Sequence, residues 1–283
     1  MKIAVLLTCF NRKEKTKICL QNLYYQELPD GMSVDVFLCD DGSTDGTGAM
    51  LREEFPQVNV CKGTGNFYWG GGMRMAWSHA LATASFDYFL WLNDDTFLIP
   101  RAIQYIWKDY LDIGRPVVLT AACSIPGAKQ QFSYGGHGSE SPIFPNGKPQ
   151  EVTFINGNVV LIPSLVVDKI GIISPVYTHY LGDFDFGLRA QKAGIPCFTT
   201  SAFYAECDQN QIPYWADPAL SIKERWKWMK SVKGLALEEY IYFKTYHYGR
   251  WVGFKSRVEV YLKVFNVKAY VKTRNLFHSL IRR

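Results

Sequence analysis

The feature that most constrains the fold is the alternation of short apolar runs with helical segments in the first hundred residues. The runs KIAVLLTCF, VDVFLC, VNVCKG and FDYFLWL are too short for stable helices and rich in β-branched or aromatic side chains, so we predict four strands. Helical segments between them predict a parallel sheet with right-handed crossovers. At 283 residues, the chain is long enough to bury a sizeable core around such a sheet.

The second half of the chain is less regular. VVLTAAC, EVTFINGNVVLIP and IPCFTTSAF predict further strands, whereas residues 65–72 and 125–150 read as loops because they are rich in Gly, Pro or Ser. We expect an α/β domain over residues 1–215, with a mostly parallel central sheet flanked by helices. A helical, basic C-terminal extension should cover residues 216–283.

The seven cysteines are scattered, odd in number and without a CxxC pair, which argues against a zinc ribbon and against a disulfide framework. A reducing cytoplasm fits this pattern best. The segment MKIAVLLTCFN turns polar after a short apolar run, so it is predicted to be the first strand and not a signal peptide. No apolar stretch approaches the length of a membrane span.

Positive charge is concentrated at the C-terminal end. Residues 250–283 contain nine Lys or Arg and a single acid, Glu259, whereas the remainder of the chain is mildly acidic. Two interpretations stay open: a solvated basic face on a helix that packs against the body, or an interfacial helix that holds the protein near anionic lipid. A nucleic-acid-binding role for this tail is a further alternative.

Carboxylates follow two of the predicted strands, as Asp40-Asp41 in DDGSTDGT and as Asp94-Asp95 in LWLNDDTF. Asp is common in turns and at helix starts, so local capping explains each pair alone. Ligands bind at the carboxyl ends of parallel strands, however, and both pairs should lie at that edge of the sheet. The repulsion between carboxylates gathered there must be offset by a cation or by hydrogen-bond donors. A divalent ion with oxygen ligands is the simplest way to offset it.

These motifs together resemble a known family. CFNR, DDGSTDGT, the glycine-containing segment, NDD and GDFDFGLRAQKAG occur in the order and spacing of inverting family-2 glycosyltransferases of the GT-A fold, over about residues 1–210. GNFYWGGGMRMAW and FINGNVVLIP resemble the rhamnosyltransferase-type branch, which builds bacterial surface polysaccharides such as O-antigen and capsule. The resemblance implies a nucleotide-binding half at 1–100 and an acceptor-binding half at 101–215.

The resemblance also implies which residues bind the donor. Asp40 and Asp41 would accept hydrogen bonds from the base and ribose, since a carboxylate can accept from an imide N–H and from hydroxyls. The other expected contacts to the nucleotide or its diphosphate come from Thr8, Asn11, Arg12, Gly71, Arg74 and Asp94. The glycines at 70–72 permit close backbone approach to a ligand, but a flexible turn into a helix explains them equally well.

The resemblance implies a Mg²⁺ or Mn²⁺ ion that neutralises the leaving diphosphate. Asp95 is the expected ligand, with Asn93 in place of the first Asp of the commoner motif. Many relatives place a metal-binding His further on, where this chain has Glu206 or Cys207. His247 is an alternative third ligand, although a lone His in an aromatic stretch is more often structural.

The acidic pair that supplies the general base in this family reads Gly182-Asp183 here, with Gly in place of the usual Glu. Asp183 is therefore the candidate base that deprotonates the acceptor hydroxyl. Asp185 competes for this role, but pairing with Arg189 at i+4 is the simpler explanation of it. We assign Trp69, His179 and Asp185 to the acceptor side.

The resulting expectation is an inverting, metal-dependent transfer of sugar from a nucleoside-diphosphate sugar, dTDP-rhamnose or a UDP-sugar such as UDP-galactofuranose. The acceptor would be a hydroxyl of a cell-surface polysaccharide or a lipid-linked glycan, and the protein would be cytoplasmic or peripheral on the inner face of the plasma membrane. A sugar-phosphate nucleotidyltransferase is an alternative, but it would have a glycine-rich loop after the first strand, where CFNRKEK has none. A nucleic-acid-binding protein would leave the acidic crevice unexplained, since carboxylates repel phosphate.

Overall fold

A computed structural model describes residues 1–209 and 217–267 of the chain, which divide into two compact units. The first unit consists of residues 1–178 and 182–209 and contains a ten-stranded sheet. The second consists of residues 179–181 and 217–267. Among the described residues, two hydrophobic clusters lie in the first unit and one lies in the second.

The sheet of the first unit is built from short, largely buried strands. Their bounds are β1 Lys2–Cys9, β2 Ser33–Asp40, β3 Asn59–Lys62, β4 Tyr88–Leu92, β5 Phe97–Leu98, β6 Val118–Ile125, β7 Ala128–Tyr134, β8 Gln150–Val152, β9 Val159–Pro163 and β10 Cys197–Glu206. Their order across the sheet is β3-β2-β1-β4-β9-β6-β10-β5, with β7 paired to β6 and β8 paired to β10.

The first four strands lie parallel to one another. β1 pairs with β2 and β4, and β2 pairs with β3, in a register that places Cys9 beside Asp40. The carboxyl ends of β1, β2 and β4 therefore meet at one edge of the sheet, as the sequence predicts. Antiparallel neighbours appear further along, where β9 pairs with β4 and β6. The predicted α/β class, a mostly parallel central sheet flanked by helices, is confirmed.

Six helices of the first unit are described. They are α1 Lys13–Tyr24, α2 Thr47–Glu54, α3 Tyr68–Thr83, α4 Ala102–Ile113, α5 Ser164–Ile170 and α6 Gly182–Lys192. β1 shows why they cover both faces of the sheet: Ile3, Val5 and Leu7 belong to one buried cluster, and Ala4 and Leu6 belong to the other. Successive side chains of a strand point to opposite faces, so an uninterrupted apolar strand needs helices on both sides.

Two expectations about loops were wrong. The glycines at 70–72 lie inside α3, which begins at Tyr68, and residues 128–134 form β7 within the segment predicted as an irregular loop. The glycine run is helical because other parts of the chain pack against it. A Cβ atom at Gly70 would lie 2.5 Å from the carbonyl oxygen of Tyr177, and one at Gly72 would overlap the hydroxyl of Thr8.

The described part of the second unit contains three helices, α7 Ile222–Lys230, α8 Leu237–Tyr248 and α9 Arg250–Phe265. Ser221 and Glu224 form a reciprocal capping box at the start of α7. The helical pattern predicted from residue 221 onward is confirmed up to residue 265, whereas the basic tail beyond residue 267 and the predicted boundary at 215/216 lie outside the described residues. None of the helices in the described segments is long and apolar enough to cross a membrane.

Candidate active site

The ends of β1 and β2 are tied together by polar side chains. Asp40 Oδ1 accepts a hydrogen bond from the amide of Ser43 at 2.9 Å, which shapes the turn after β2. The hydroxyl of Ser43 accepts from the amide of Asn11 at 2.9 Å, and Asn11 Oδ1 accepts from the amide of Thr44 at 2.7 Å. Asn11 has a φ of 51°, a left-handed conformation that Asn tolerates better than most residues. Three predicted donor residues, including Thr8 on the neighbouring strand β1, thus lie at one edge.

Asp41 is occupied by the backbone of the segment that leads into α3. Its Oδ1 accepts from the amide of Gly65 at 2.8 Å, and its Oδ2 accepts from the amides of Phe67 at 2.8 Å and Tyr68 at 3.0 Å. Tyr68 has a φ of 52°, which is unusual for a residue with a side chain, and the carboxylate holds it in that conformation. The predicted nucleotide-binding carboxylate therefore also organises the start of α3.

The carboxylates after β4 face a cationic side chain instead. Arg12 Nη1 donates to Asp95 Oδ2 at 2.6 Å and to Asp94 Oδ1 at 3.3 Å, and the hydroxyl of Thr16 donates to Asp94 Oδ2 at 3.3 Å. Burial raises the pKa of Asp94 to about 7, although Arg12 acts in the opposite direction. One half-exposed guanidinium thus balances two carboxylates at this strand end.

A further carboxylate, not predicted from the sequence, lies at the same edge. β10 and β5 are antiparallel, with Glu206 opposite Phe97, and continuing this register by two residues aligns Asp208 with Asp95. Lys15 Nζ lies 3.5 Å from Asp208 Oδ2, one helical turn along α1 from Arg12. The signal was the position: Asp208 follows the strand after which relatives place their metal-binding His.

The oxygen donors at this edge fit a hard divalent cation. The side chain of Asp95 is 22% exposed, and its Oδ1 accepts no hydrogen bond from the described residues. Asp208 is exposed, and among the described residues its side chain is contacted by Lys15 at 3.5 Å. Carboxylate oxygens of this kind are the ligands that Mg²⁺ and Mn²⁺ prefer. Within residues 1–209 and 217–267, no group of three or more His, Cys, Asp or Glu side chains is arranged to hold a metal ion.

Asn93, the odd member of the NDD motif, joins three parts of the chain. Its Oδ1 accepts from Trp69 Nε1 at 2.7 Å, and its Nδ2 donates to Asn158 Oδ1 at 3.0 Å. Its amide also donates to the carbonyl oxygen of Asn158 at 2.9 Å, and Asn158 is hydrogen-bonded to Cys207 in turn. An Asp at position 93 could not make the donation to Asn158, which accounts for the departure from the commoner motif.

Arg74 and Gly71, predicted to approach the donor diphosphate, lie on α3. The guanidinium of Arg74 donates to the carbonyl oxygens of Ser174 at 2.9 Å and Tyr177 at 2.7 Å, so in this structure it anchors the segment before α6. Gly71 packs against Phe67, whose Cβ would lie 3.0 Å from an added Cβ. Their contacts to a donor remain predictions.

Asp183 lies in the first turn of α6, partly exposed, and faces backbone amides. Its Oδ2 accepts from the amide of Gly157 at 3.0 Å, and its Oδ1 accepts from the amide of Phe184 at 2.8 Å. Burial raises the pKa of Asp183 to about 6 despite these amides. Asp185 is buried and pairs with Arg189 at 2.7 Å, the i+4 contact that its position predicts. A carboxyl group with a raised pKa, held by backbone amides and not by an ion pair, suits a general base.

Trp69 lies beside the candidate base. A Cβ atom at Gly157 would be 2.6 Å from its indole Cζ2, and one at Gly182 would be 3.4 Å from its Cζ3. The nearest atom to such a Cβ at Gly182 is Ile173 Cγ2 at 3.2 Å, so a side chain at position 182 would contact both Ile173 and the indole. The two predicted histidines belong to the second unit: the ring of His179 lies 4.4 Å from that of Tyr180, tilted by 50°, and His247 lies among the rings of α8. Their roles remain predictions.

Comparison with known proteins identifies the family to which the chain belongs. The sequence profile described as glycosyl transferase family 2 matches residues 4–159, more than half of the chain. This match favours the glycosyltransferase interpretation over the nucleotidyltransferase and nucleic-acid-binding alternatives. No curated protein sequence matches the chain.

Solved structures share the fold at low sequence identity. A mannosyltransferase, PcManGT from Pyrobaculum calidifontis in complex with GDP-Man and Mn²⁺, has a TM-score of 0.55 at 14% identity over 76% of this chain and 59% of that one. S. aureus TarS 1–349 in complex with UDP-GlcNAc has a TM-score of 0.52 at 15% identity over 94% of this chain and 72% of that one. The chain spans only 37% of the longer S. aureus TarS structure.

Proposed function

Because this chain belongs to glycosyl transferase family 2, we propose that it transfers a sugar from a nucleoside-diphosphate sugar to a hydroxyl of a cell-surface polysaccharide or lipid-linked acceptor, with inversion and with a divalent metal. The observation that carries the proposal is the meeting of Asp40, Asp94 and Asp95 at one sheet edge. Asn93, at the same strand end, is hydrogen-bonded to Asn158, beside the Gly157 amide that holds Asp183. Donor-binding and proton-accepting groups thus share one connected framework.

The donor nucleotide would lie across the ends of β1 and β2. Asp40 would accept from the base or the ribose, with Thr8 and Asn11 lining the pocket. Asp41 would act mainly by holding the start of α3, since its oxygens already accept three backbone amides. dTDP-rhamnose is the first candidate donor and UDP-sugars the next, among them UDP-galactofuranose. The solved relatives bind UDP-GlcNAc and GDP-Man, which supports a nucleotide-sugar donor without selecting one.

Asp95 would hold the metal ion, with Asp208, aligned with it by strand register, as an additional candidate and His247 as the alternative predicted from sequence. When bound, Mg²⁺ or Mn²⁺ supplies positive charge to the diphosphate and lowers the cost of its departure. The mannosyltransferase relative contains Mn²⁺, which supports a divalent ion here. Arg12 lies at the same strand end. Its guanidinium would contact the diphosphate oxygens once its pairs with Asp94 and Asp95 open.

Asp183 would accept the proton of the acceptor hydroxyl as that oxygen attacks the anomeric carbon. The amides of Gly157 and Phe184 fix the direction of the carboxylate, which is what in-line attack on the face opposite the leaving group requires. Trp69, beside Asp183, offers an aromatic edge on the acceptor side, and Asp185 would support α6 through its pair with Arg189.

The second unit would bring the enzyme to an anionic membrane surface, where lipid-linked acceptors occur. One face of α9 presents exposed apolar side chains at helical spacing, namely Trp251, Phe254, Val258, Leu262 and Phe265. The opposite face, with Val260 and Val264, is buried within the unit. Residues 217–267 carry ten Lys or Arg against five Asp or Glu, and this combination suits an interfacial helix.

The donor is tested by a thermal-shift screen of dTDP-rhamnose, UDP-galactofuranose, UDP-GlcNAc and GDP-mannose with and without Mn²⁺, because a ligand that binds the native state raises its melting temperature. The Asp183→Asn variant should keep the stabilisation by the donor while sugar transfer falls by about 10²–10⁴-fold. Transfer at the wild-type rate in that variant would remove Asp183 from the mechanism.

The membrane role is tested by co-sedimentation with phosphatidylglycerol vesicles. Exchanging Trp251, Phe254 and Leu262 for Ser should abolish binding, whereas the matched exchange of Leu111 and Phe144, two exposed apolar residues of the first unit, should not. Equal binding by both variants would contradict the interfacial role of α9.

A further inference from the structure

Three short segments converge on Asp183, although none of them belongs to its helix. They are the start of α3 with Trp69, the end of β4 with Asn93, and residues 156–158 before β9. The hydrogen bonds run from Trp69 through Asn93 to Asn158, and the amide of the preceding residue, Gly157, donates to Asp183. Hydrogen bonds thus connect the end of β4, where the metal is proposed to bind, to the segment that holds Asp183.

The direction of this path is fixed by its first member. An indole N–H can only donate, so the atom of Asn93 that faces Trp69 must be its oxygen. The amide nitrogen of Asn93 then faces Asn158 and must meet an acceptor there. Two hydrogen bonds, one from the side chain and one from the backbone of Asn93, hold Asn158, which leaves the adjacent Gly157 little freedom to move.

The indole ring adds a steric constraint to the hydrogen bonds. It lies against Gly157 on one side of Asp183 and against Gly182, the residue immediately before Asp183, on the other. An added Cβ at Gly157 would also approach the Cβ of Asp183 at 3.5 Å. Trp69 therefore contacts both of the backbone segments that determine where the carboxylate points.

We propose that Trp69 and Asn93 are positioning residues for Asp183, which act through Asn158 by fixing the Gly157 amide that holds the carboxylate in its reactive orientation. The proposal rests on the proposed role of Asp183 as the general base. It assigns the Asn of the NDD motif to the acceptor side of the reaction, in contrast to the two carboxylates that follow it.

Loss of this positioning has a predictable electrostatic effect. The Gly157 amide favours the ionised form of Asp183, so weakening that hydrogen bond raises the pKa of the carboxyl further above its usual value. The groups that affect the pKa of Asp183 are burial, which raises it, and the amides of Phe184, Gly157 and Asp183 itself, which lower it. Asp185, two residues further on, is already paired with Arg189.

The test measures the pKa of Asp183 without any substrate, by ¹³C NMR titration of protein labelled with [4-¹³C]aspartate. The Asp183→Asn variant identifies the resonance. Trp69→Phe, which keeps most of the ring but removes the N–H, and Asn158→Ala should each raise the pKa by about half to one unit. The double variant should shift it no further than the larger single change, because both act on one path. Trp107→Phe on α4 makes the same chemical change away from the site and should leave the pKa unaltered.

Kinetics of nucleoside-diphosphate release, with the donor found in the thermal-shift screen, provide the second readout. Trp69→Phe and Asn158→Ala should lower kcat by about 10–100-fold with little change in the KM for donor. If Trp69 only contacted the acceptor, the Trp69→Phe variant would have a higher KM for acceptor and a wild-type pKa at Asp183. That result would overturn the proposal. Additive pKa shifts in the double variant would overturn it as well.

The proposed function fails by a different result. If Asp183→Asn transferred sugar at the wild-type rate, Asp183 would not be the base, whatever the NMR titrations gave. If Asp183→Asn were inactive and neither Trp69→Phe nor Asn158→Ala altered the pKa of Asp183 or kcat, the base assignment would stand. The positioning proposal alone would then fall.

Discussion

The two acidic strand ends look alike in the sequence but differ in how their charges are balanced. After β2, Asp41 accepts three backbone amides from residues 65–68, and these donors cannot leave without moving α3. After β4, Asp94 and Asp95 share the guanidinium of Arg12, which is about half exposed. The first arrangement is part of the fold, whereas the second depends on one side chain, and we propose that it opens to accept a metal ion.

This difference separates two uses of the same residue type. A carboxylate held by amides shapes a loop, and its removal should cost stability. A carboxylate held by one long flexible side chain can exchange that partner for a metal ion or a ligand at small cost, and its removal should cost binding and activity. The predictions below test whether the two strand ends separate in this way.

The largest effect is expected at Asp95. Asp95→Asn removes the negative charge that would hold the metal, so sugar transfer should fall by about 10²–10³-fold while the melting temperature changes little. Transfer rates at saturating donor and Mn²⁺ measure this. Asp112→Asn, which breaks an exposed pair with Lys108 on α4, is the matched control and should retain full activity.

The next effect is on stability, at Asp41. Asp41→Ala leaves the amides of Gly65, Phe67 and Tyr68 without their acceptor and should lower the free energy of unfolding by about 2–4 kcal/mol, measured by urea denaturation. Asp35→Ala, near the other end of the same strand, removes only an exposed pair with Lys2 and should cost less than about 1 kcal/mol. Equal losses in the two variants would contradict the structural role of Asp41.

Asp183 extends the comparison to a carboxylate that accepts amides and still titrates near neutrality. Its pKa is raised to about 6, so the ionised form that accepts a proton is lost as the pH falls through 6, and kcat should drop about tenfold per unit below that value. The folded protein retains this proton to a higher pH than the unfolded chain does. The carboxylate therefore costs stability above pH 6, and Asp183→Asn should raise the melting temperature at pH 8 but not at pH 4. An acid limb near pH 4 would contradict this prediction.

The smallest effect is expected at Arg12. Arg12→Gln keeps hydrogen-bonding capacity but removes the positive charge that offsets the repulsion between Asp94 and Asp95. Without metal, the variant should therefore melt a few degrees lower than the wild type. Mn²⁺ should then stabilise the variant more than the wild type. Lys17→Gln on α1, which removes a pair with Glu54 of α2, should show no such difference. Identical Mn²⁺ responses in all three proteins would show that Arg12 does not balance the two acids.

The sequence predicted the sheet edge well because its signals are local. Each of β1, β2 and β4 is an apolar run that ends in polar residues, and parallel pairing brings those ends together without further information. The start of α3 was predicted as a loop, since glycine is unfavourable in helices. Gly70 and Gly72 are helical because Tyr177 and Thr8 pack where side chains would be, and both contacts are distant in the sequence.

The same reason explains what the sequence did not reveal about the site. Asn93 and Asn158 are separated by 65 residues, and nothing in either segment indicates that they pair. Asp208 aligns with Asp95 only through the antiparallel register of β5 and β10, and β5 consists of two residues. The candidate base Asp183 was accessible to sequence reasoning because the segment around it resembles a known motif. The packing of Trp69 beside Gly157 and Gly182 was not.

The most direct test of the contrast is to count bound Mn²⁺ by the loss of its free EPR signal, with UDP present, in the wild type, Asp95→Asn and Asp41→Asn. We expect about one ion per chain for the wild type and for folded Asp41→Asn, and none for Asp95→Asn. Mn²⁺ binding by Asp95→Asn at the wild-type level, or its loss in folded Asp41→Asn alone, would contradict the assignment of the β4 end as the exchangeable, metal-binding one.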